Sequence, residues 1–216
     1  MKKLGIIHTS AVSLDALKKL CNEMLEDVEV INIIDDSLLE EVKNNKGITS
    51  AIISRMCTYV QNLNQLNVDL ILNQCSSVGE AFDIAKKCSD KKTLKIDLPM
   101  MEKAVSLGSN IAVVATVEST MKPSCNLLKN TAKKMQKEIH VDEYLVKDAL
   151  DILMKEKNQE KHNSLVMDAI NKACKNNDVI VLAQGSMIAL LPYLNEVEKP
   201  VLTSPRMAIE RIKEML

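Results

Sequence analysis

Aromatic residues are nearly missing from this chain, at 2% of 216 positions: no tryptophan, one phenylalanine and three tyrosines. Concentrated basic charge is missing as well, because 28 Lys and Arg stand against 29 Asp and Glu for a net charge of −1. A groove that tracks nucleic acid needs clustered cations, and stacking of bases needs aromatic faces. No nucleic-acid partner is therefore expected. No apolar run approaches the ~20 residues that cross a bilayer, so no membrane partner is expected either. Met1-Lys2-Lys3 has the charge of a leader, but the apolar run Leu4–Ile7 gives way at once to His8, Thr9 and Ser10. The six cysteines, at 21, 57, 75, 88, 125 and 174, form no C-x-x-C pair and have no histidine at zinc-type spacing. The expectation is a cytoplasmic protein with reduced thiols and no metal.

What is present is ordinary globular composition, 46% hydrophobic and 26% charged, in a length that suits one large domain or two small ones. Short apolar runs alternate with helical patterns. Leu4–Ile7 reads as a buried strand, and a helix follows from Ser13 with Leu14, Leu17, Leu20 and Met24 on one side. Further strands are predicted at Val28–Ile34, Val68–Leu72, Leu94–Ile96, Ile111–Val114, Ile139–Val141, Val179–Leu182 and Val201-Leu202, with a helix over 48–66. Strands alternating with helices give parallel sheets in an α/β fold.

The chain also repeats itself. Leu4-Gly5-Ile6-Ile7-His8-Thr9 matches Ile111-Ala112-Val113-Val114-Ala115-Thr116 at an offset of 107. The stretch from Asp69 to Cys75-Ser76-Ser77 matches that from Asp178 to Gln184-Gly185-Ser186 at an offset of 109. The Pro99 and Pro205 turns match at 106, each followed by a methionine two residues on. Three ordered matches predict an internal duplication: two similar flavodoxin-like lobes with parallel sheets about a pseudo-twofold axis and a cleft between them. The expected lobes are 1–98 with 204–216, and 99–203. Ligands of parallel α/β sheets bind at the carboxyl ends of strands. Those ends carry His8-Thr9-Ser10, Cys75-Ser76-Ser77, Thr116, Gln184-Gly185-Ser186 and Ser204. With facing lobes, Cys75 and Gln184 are expected on opposite sides of a bound molecule.

Cys75-Ser76-Ser77-Val78-Gly79-Glu80 and Ala183-Gln184-Gly185-Ser186-Met187, with Ile96-Asp97-Leu98-Pro99-Met100 and Ser204-Pro205-Arg206, resemble one branch of the aspartate/glutamate/hydantoin racemase superfamily. The resemblance covers nearly the whole chain. It implies an isomerase, PLP-independent and free of any other cofactor, that acts on a small carboxylate such as an amino acid. One thiolate removes the proton beside the carboxylate and a second thiol returns one to the other face. It also suggests a homodimer or larger homo-oligomer. A free thiol has a pKa near ~8.5 and needs activation, and the enediolate needs donors aimed at its charge. Thr9, Ser10, Ser76, Ser77, Thr116, Gly185 and Ser186 are the expected substrate-binding positions.

The sequence departs from that pattern at one place. Gln184 stands where the resemblance puts the second cysteine, and an amide does not titrate. Either another group serves the opposite face, with His8, Asp97 and His162 as candidates, or the reaction needs only Cys75. Decarboxylation of a malonate-type diacid and cis–trans isomerisation of a dicarboxylate are such one-thiol reactions. A protein that binds a small carboxylate without chemistry is the reading from a different class. Serines 76, 77 and 186 could equally cap the helices behind them. The other five cysteines lie in helical patterns and are expected to pack in the core, and His162, in a polar stretch, is expected at the surface.

Overall fold

A computed structural model describes residues 1–216, with the side chains of Ser186 and Glu196 outside the described set. The chain divides into two compact units, one of residues 1–96 with 205–216 and one of residues 97–204.

The first unit runs β1 (Lys2–His8), α1 (Leu14–Met24), β2 (Val28–Ile34), α2 (Ser37–Asn44), α3 (Ser50–Gln65), β3 (Leu70–Asn73), a 3-10 turn at Ser76–Val78, α4 (Gly79–Ala85) and β4 (Lys92–Lys95). Its sheet is parallel, in the order β2-β1-β3-β4. The second unit runs α5 (Leu98–Leu107), β5 (Asn110–Ala115), α6 (Glu118–Lys134), β6 (His140–Leu145), α7 (Ala149–Lys155), α8 (Gln159–Ala173), β7 (Val179–Leu182), a run of 3-10 turns at Gly185–Glu196, and β8 (Val201–Thr203). Its sheet is parallel too, in the order β6-β5-β7-β8. The two sheets repeat one topology, the flavodoxin-like order. α9 (Ser204–Met215) then returns from Pro205 onward to the first unit, where Lys92 Nζ donates to the Met215 carbonyl.

The centre of each sheet is apolar on both faces, as parallel strands covered by helices must be. Leu70–Leu72 and Val179–Leu182 are entirely shielded from solvent. α3 buries Ile52, Met56, Val60 and Leu63, spaced at helical intervals, against Ile7 and Ile71 of the sheet. That helix comes so close to β1 that a Cβ on Gly5 would lie 2.7 Å from Leu63 Cδ2. The helix starts at Thr49, whose hydroxyl accepts from the Ile52 N–H at 3.2 Å.

Details of hydrogen bonding are duplicated as well. Asp69, just before β3, accepts from the Lys3 N–H at 2.8 Å, and Asp178, just before β7, accepts from the Asn110 N–H at 2.9 Å. These backbone bonds hold both carboxyls below their usual range. At the far ends of the same strands, the Gln74 N–H donates to Ile7 O and the Ala183 N–H to Val114 O. Each bond fixes the residue immediately before Cys75 or Gln184.

Several expectations need correction. The strand expected at Leu94–Ile96 is Lys92–Lys95, set by pairing with β3. The short one expected at Ile139–Val141 extends to Leu145, because pairing with β5 carries it across the polar Asp142 and Glu143. Cys88 does not pack in the core; it ends a 3-10 turn, Lys86–Cys88, and is exposed. No helix among the described residues is long and apolar enough to cross a membrane.

Candidate functional site

In the first unit the end of β3 is shaped by amides and hydroxyls. Asn73 is buried, and its Nδ2 donates to the Cys75 carbonyl at 2.9 Å, folding the chain back beyond the strand. Gln74 Nε2 donates to Ser13 Oγ at 2.7 Å, tying this corner to the start of α1. Cys75 itself is extended (φ −121°, ψ 123°), and the Ser76–Val78 turn begins directly after it. Its sulfur receives hydrogen bonds from the Thr9 hydroxyl at the end of β1, the N–H groups of Ser77 and Val78, and the Ser77 side chain. Successive N–H groups aimed at one atom form an anion-binding nest.

Two influences compete at that sulfur. Burial pushes the Cys75 thiol up, and the four hydrogen bonds pull it back; burial wins, so the pKa lies above the ordinary value. Part of the residue's surface remains open although the sulfur is densely surrounded. At neutral pH Cys75 is a protonated thiol, set among donors that favour the thiolate once it forms.

His8 lies elsewhere on the same strand. It is fully buried and shares a 2.9 Å hydrogen bond between its Nε2 and Asn32 Oδ1 of β2. Its Nδ1 is buried without a hydrogen-bond partner among the described residues. Burial lowers its pKa below 6.5, helped by the charge of Lys18 and opposed by the Asn32 bond. Ser10 Oγ accepts from the Val12 N–H at 3.2 Å, a turn ahead of α1. Ser76 opens the 3-10 turn, and Ser77 within it is buried.

The second unit repeats the corner with a different group. The Thr116 N–H and hydroxyl donate to Gln184 Oε1 at 2.8 and 3.3 Å. Thr9 with Cys75, and Thr116 with Gln184, are thus the same pair of places on the two sheets. The amide oxygen accepts both Thr116 donors, while Gln184 Nε2 is buried without a hydrogen-bond partner among the described residues. What this corner offers is therefore N–H. Gly185 begins the 3-10 run after it, and the Ser186 side chain lies outside the described residues. Asp97 is buried at the start of α5, where its carbonyl accepts from the Met101 N–H at 3.0 Å.

His162 is not at the surface. It is fully buried in the first turn of α8, with Nδ1 3.0 Å from Asn163 Oδ1 and 3.4 Å from Gln159 Nε2. Its Nε2 is buried without a hydrogen-bond partner among the described residues. His162, Val166 and Ile170 form one stripe at four-residue spacing, and that periodicity was the available signal. Sequence reasoning also passed over Asn73 and Asn32. A single amide inside an apolar strand has no periodic signature, and the role of each depends on a partner supplied by the fold.

Known proteins share this architecture. The structure is similar to allantoin racemase from Klebsiella pneumoniae, with a TM-score of 0.72 and 15% identity over 100% of this chain and 87% of that one. It is similar to glutamate racemase from Francisella tularensis in complex with D-glutamate, with a TM-score of 0.76 and 12% identity over 100% and 81%. An arylmalonate decarboxylase variant matches with a TM-score of 0.63 and 12% identity over 99% and 92%. A search of curated protein sequences gives no match. The sequence itself matches the Asp/Glu/Hydantoin racemase family over residues 4–212. With the match spanning both units, the chain belongs to that family.

Proposed function

We propose that the protein is a cofactor-independent enzyme of the racemase/isomerase class, acting at the carbon beside the carboxylate of a small acid, with Cys75 as its proton-transfer group. The supporting observation is the setting of that sulfur: a densely surrounded thiol on a half-buried residue, held by the Thr9 hydroxyl, the Ser77 side chain and two backbone N–H groups. As Cys75 gives up its proton these donors stabilise the thiolate, and on the return step they release it. Similar donors are what an enediolate oxygen requires. Thr9, Ser76 and Ser77 supply hydroxyls at this corner.

A one-thiol reaction is the second reading, and Gln184 favours it. Its amide cannot act as a base, and its oxygen is already taken by Thr116. Loss of carbon dioxide from a malonate-type diacid leaves an enediolate that needs one proton, which a resting thiol can supply. Cis–trans isomerisation of a dicarboxylate would instead use the same sulfur as a nucleophile.

Incubation with amino acids, hydantoins and dicarboxylic acids in deuterated water separates these readings. Exchange of the α-proton with inversion supports racemisation, and release of carbon dioxide supports the decarboxylase. A Cys75→Ala protein is expected to lose all turnover. Turnover undiminished in that variant would sink the cysteine mechanism; ligand binding without turnover in the wild type would show a binding protein instead.

A further inference from the structure

We propose that Cys57 and Cys88 are a modification site, a thiol pair on the first unit that closes to an intramolecular disulfide. Cys57 lies on α3 and Cys88 ends the Lys86–Cys88 turn, and their side chains interact directly. Both can be reached from solvent, since Cys88 is exposed and Cys57 is half-buried. The turn is also pinned to the helix beside them. Asn64 Nδ2 donates to the Cys88 carbonyl at 3.3 Å, and Ser89 Oγ donates to Asn64 Oδ1 at 2.6 Å. Asn64 is two helical turns beyond Cys57, so both project from the same face of α3. The turn that carries Cys88 is thus anchored to the face of α3 that carries Cys57, which keeps the two interacting thiols on adjoining segments.

The other cysteines are poor competitors. Cys21 and Cys125 are buried, and burial pushes their thiols up to about 11 and about 12. Cys75 is held by its own donors at the end of β3, and Cys174 belongs to the second unit.

The oxidant is a low-molecular-weight disulfide such as oxidised glutathione. The Cys88 thiolate attacks one of its sulfurs, forming a mixed disulfide and expelling one thiolate. The Cys57 thiolate then attacks the Cys88 sulfur, which forms the internal bond and expels the second thiolate. The two protons lost by the cysteines end on the two released thiols. A dithiol reductant reverses both steps. The bond encloses residues 57–88, which include β3 and Cys75, and removes freedom from the unfolded chain.

The test treats the folded protein with oxidised glutathione, titrates thiols, and maps the product by cleavage before aspartate. Asp36, Asp69, Asp83 and Asp90 place Cys57, Cys75 and Cys88 on three separate peptides, 36–68, 69–82 and 83–89. The expected result is a fall from six thiols to about four, with 36–68 linked to 83–89. A Cys88→Ser protein, altered at an exposed position, is expected to form no internal link. Glutathione remaining on Cys88 without a link, a link between 69–82 and 83–89, or covalent dimers in place of the internal bond would each overturn the proposal.

Discussion

Replacing Thr9 by Val tests the electrostatics of Cys75 with little change of shape. The substitution exchanges the hydroxyl for a methyl group and deletes one of the four hydrogen bonds to the sulfur, leaving the Ser77 and Val78 N–H groups and the Ser77 side chain. A hydrogen bond to a charged acceptor contributes about 1.5–3 kcal/mol. One pKa unit corresponds to about 1.36 kcal/mol, so the Cys75 pKa should climb by roughly one to two units. The shift is upward because the lost bond favoured only the thiolate, while burial, which favours the thiol, stays. At a fixed pH below the pKa the thiolate fraction then falls roughly ten- to a hundredfold. The assay is the pH dependence of iodoacetamide labelling, followed by mass spectrometry on the peptide 69–82, where Cys75 is the only cysteine. Thr9→Ser keeps a hydroxyl and should restore most of the wild-type profile. A Thr9→Val profile that coincides with the wild type, or moves to lower pH, would refute the assignment of the Thr9 hydroxyl as a donor to this sulfur.

Three other outcomes follow from the same structure. If Cys75 acts first as a base, kcat/KM should rise with pH beyond the ordinary thiol range near ~8.5, since burial delays its ionisation. If it acts first as an acid, the rate should hold through neutrality and fall only above that range. A profile controlled wholly by a group titrating below neutrality would exclude both. Gly5→Ala should cost about 1–3 kcal/mol in urea denaturation, because the new Cβ meets Leu63 Cδ2 at 2.7 Å; unchanged stability would mean that α3 is free to back away. His8 binds its proton less readily in the fold than in the unfolded chain, where 6.5 applies. Its contribution to stability is complete above that pH and shrinks as pH falls below 6.5 toward the lowered folded value. His8→Leu should flatten this acid-side slope in pH-dependent melting, and an equally steep slope in the variant would contradict the shift.

The fold was legible because its inner strands are unbroken apolar runs and because the chain states its plan twice. Val179–Leu182 is legible at its true limits for that reason. α2 and α7 were not read: α2 buries only Leu38 and Val42, too few residues to show a period, and α7 only Ala149 and Ile152. The duplication pointed to positions 75 and 184, yet could not show that each is bonded to the threonine ending the neighbouring strand. Charge partners were hidden for a similar reason. Asp35, on which Tyr59 Oη at 2.5 Å and Arg55 at 3.0 Å converge, is 24 and 20 residues away from them in the chain. Burial raises the Asp35 pKa, and its bonds to Ser37, Tyr59 and Arg55 more than reverse that effect. Only the packing of α3 over the end of β2 brings these groups together.

The second unit is one unbroken stretch of chain, whereas the first borrows residues 205–216 from beyond it. Ala208, Ile209 and Ile212 of that borrowed helix have no exposed surface, so until they arrive an apolar seam of the first unit stays uncovered. Synthesis proceeds from the amino end. The lobe encoded later can therefore finish folding earlier, and the lobe that bears the sulfur reaches its final form only when the closing helix leaves the ribosome.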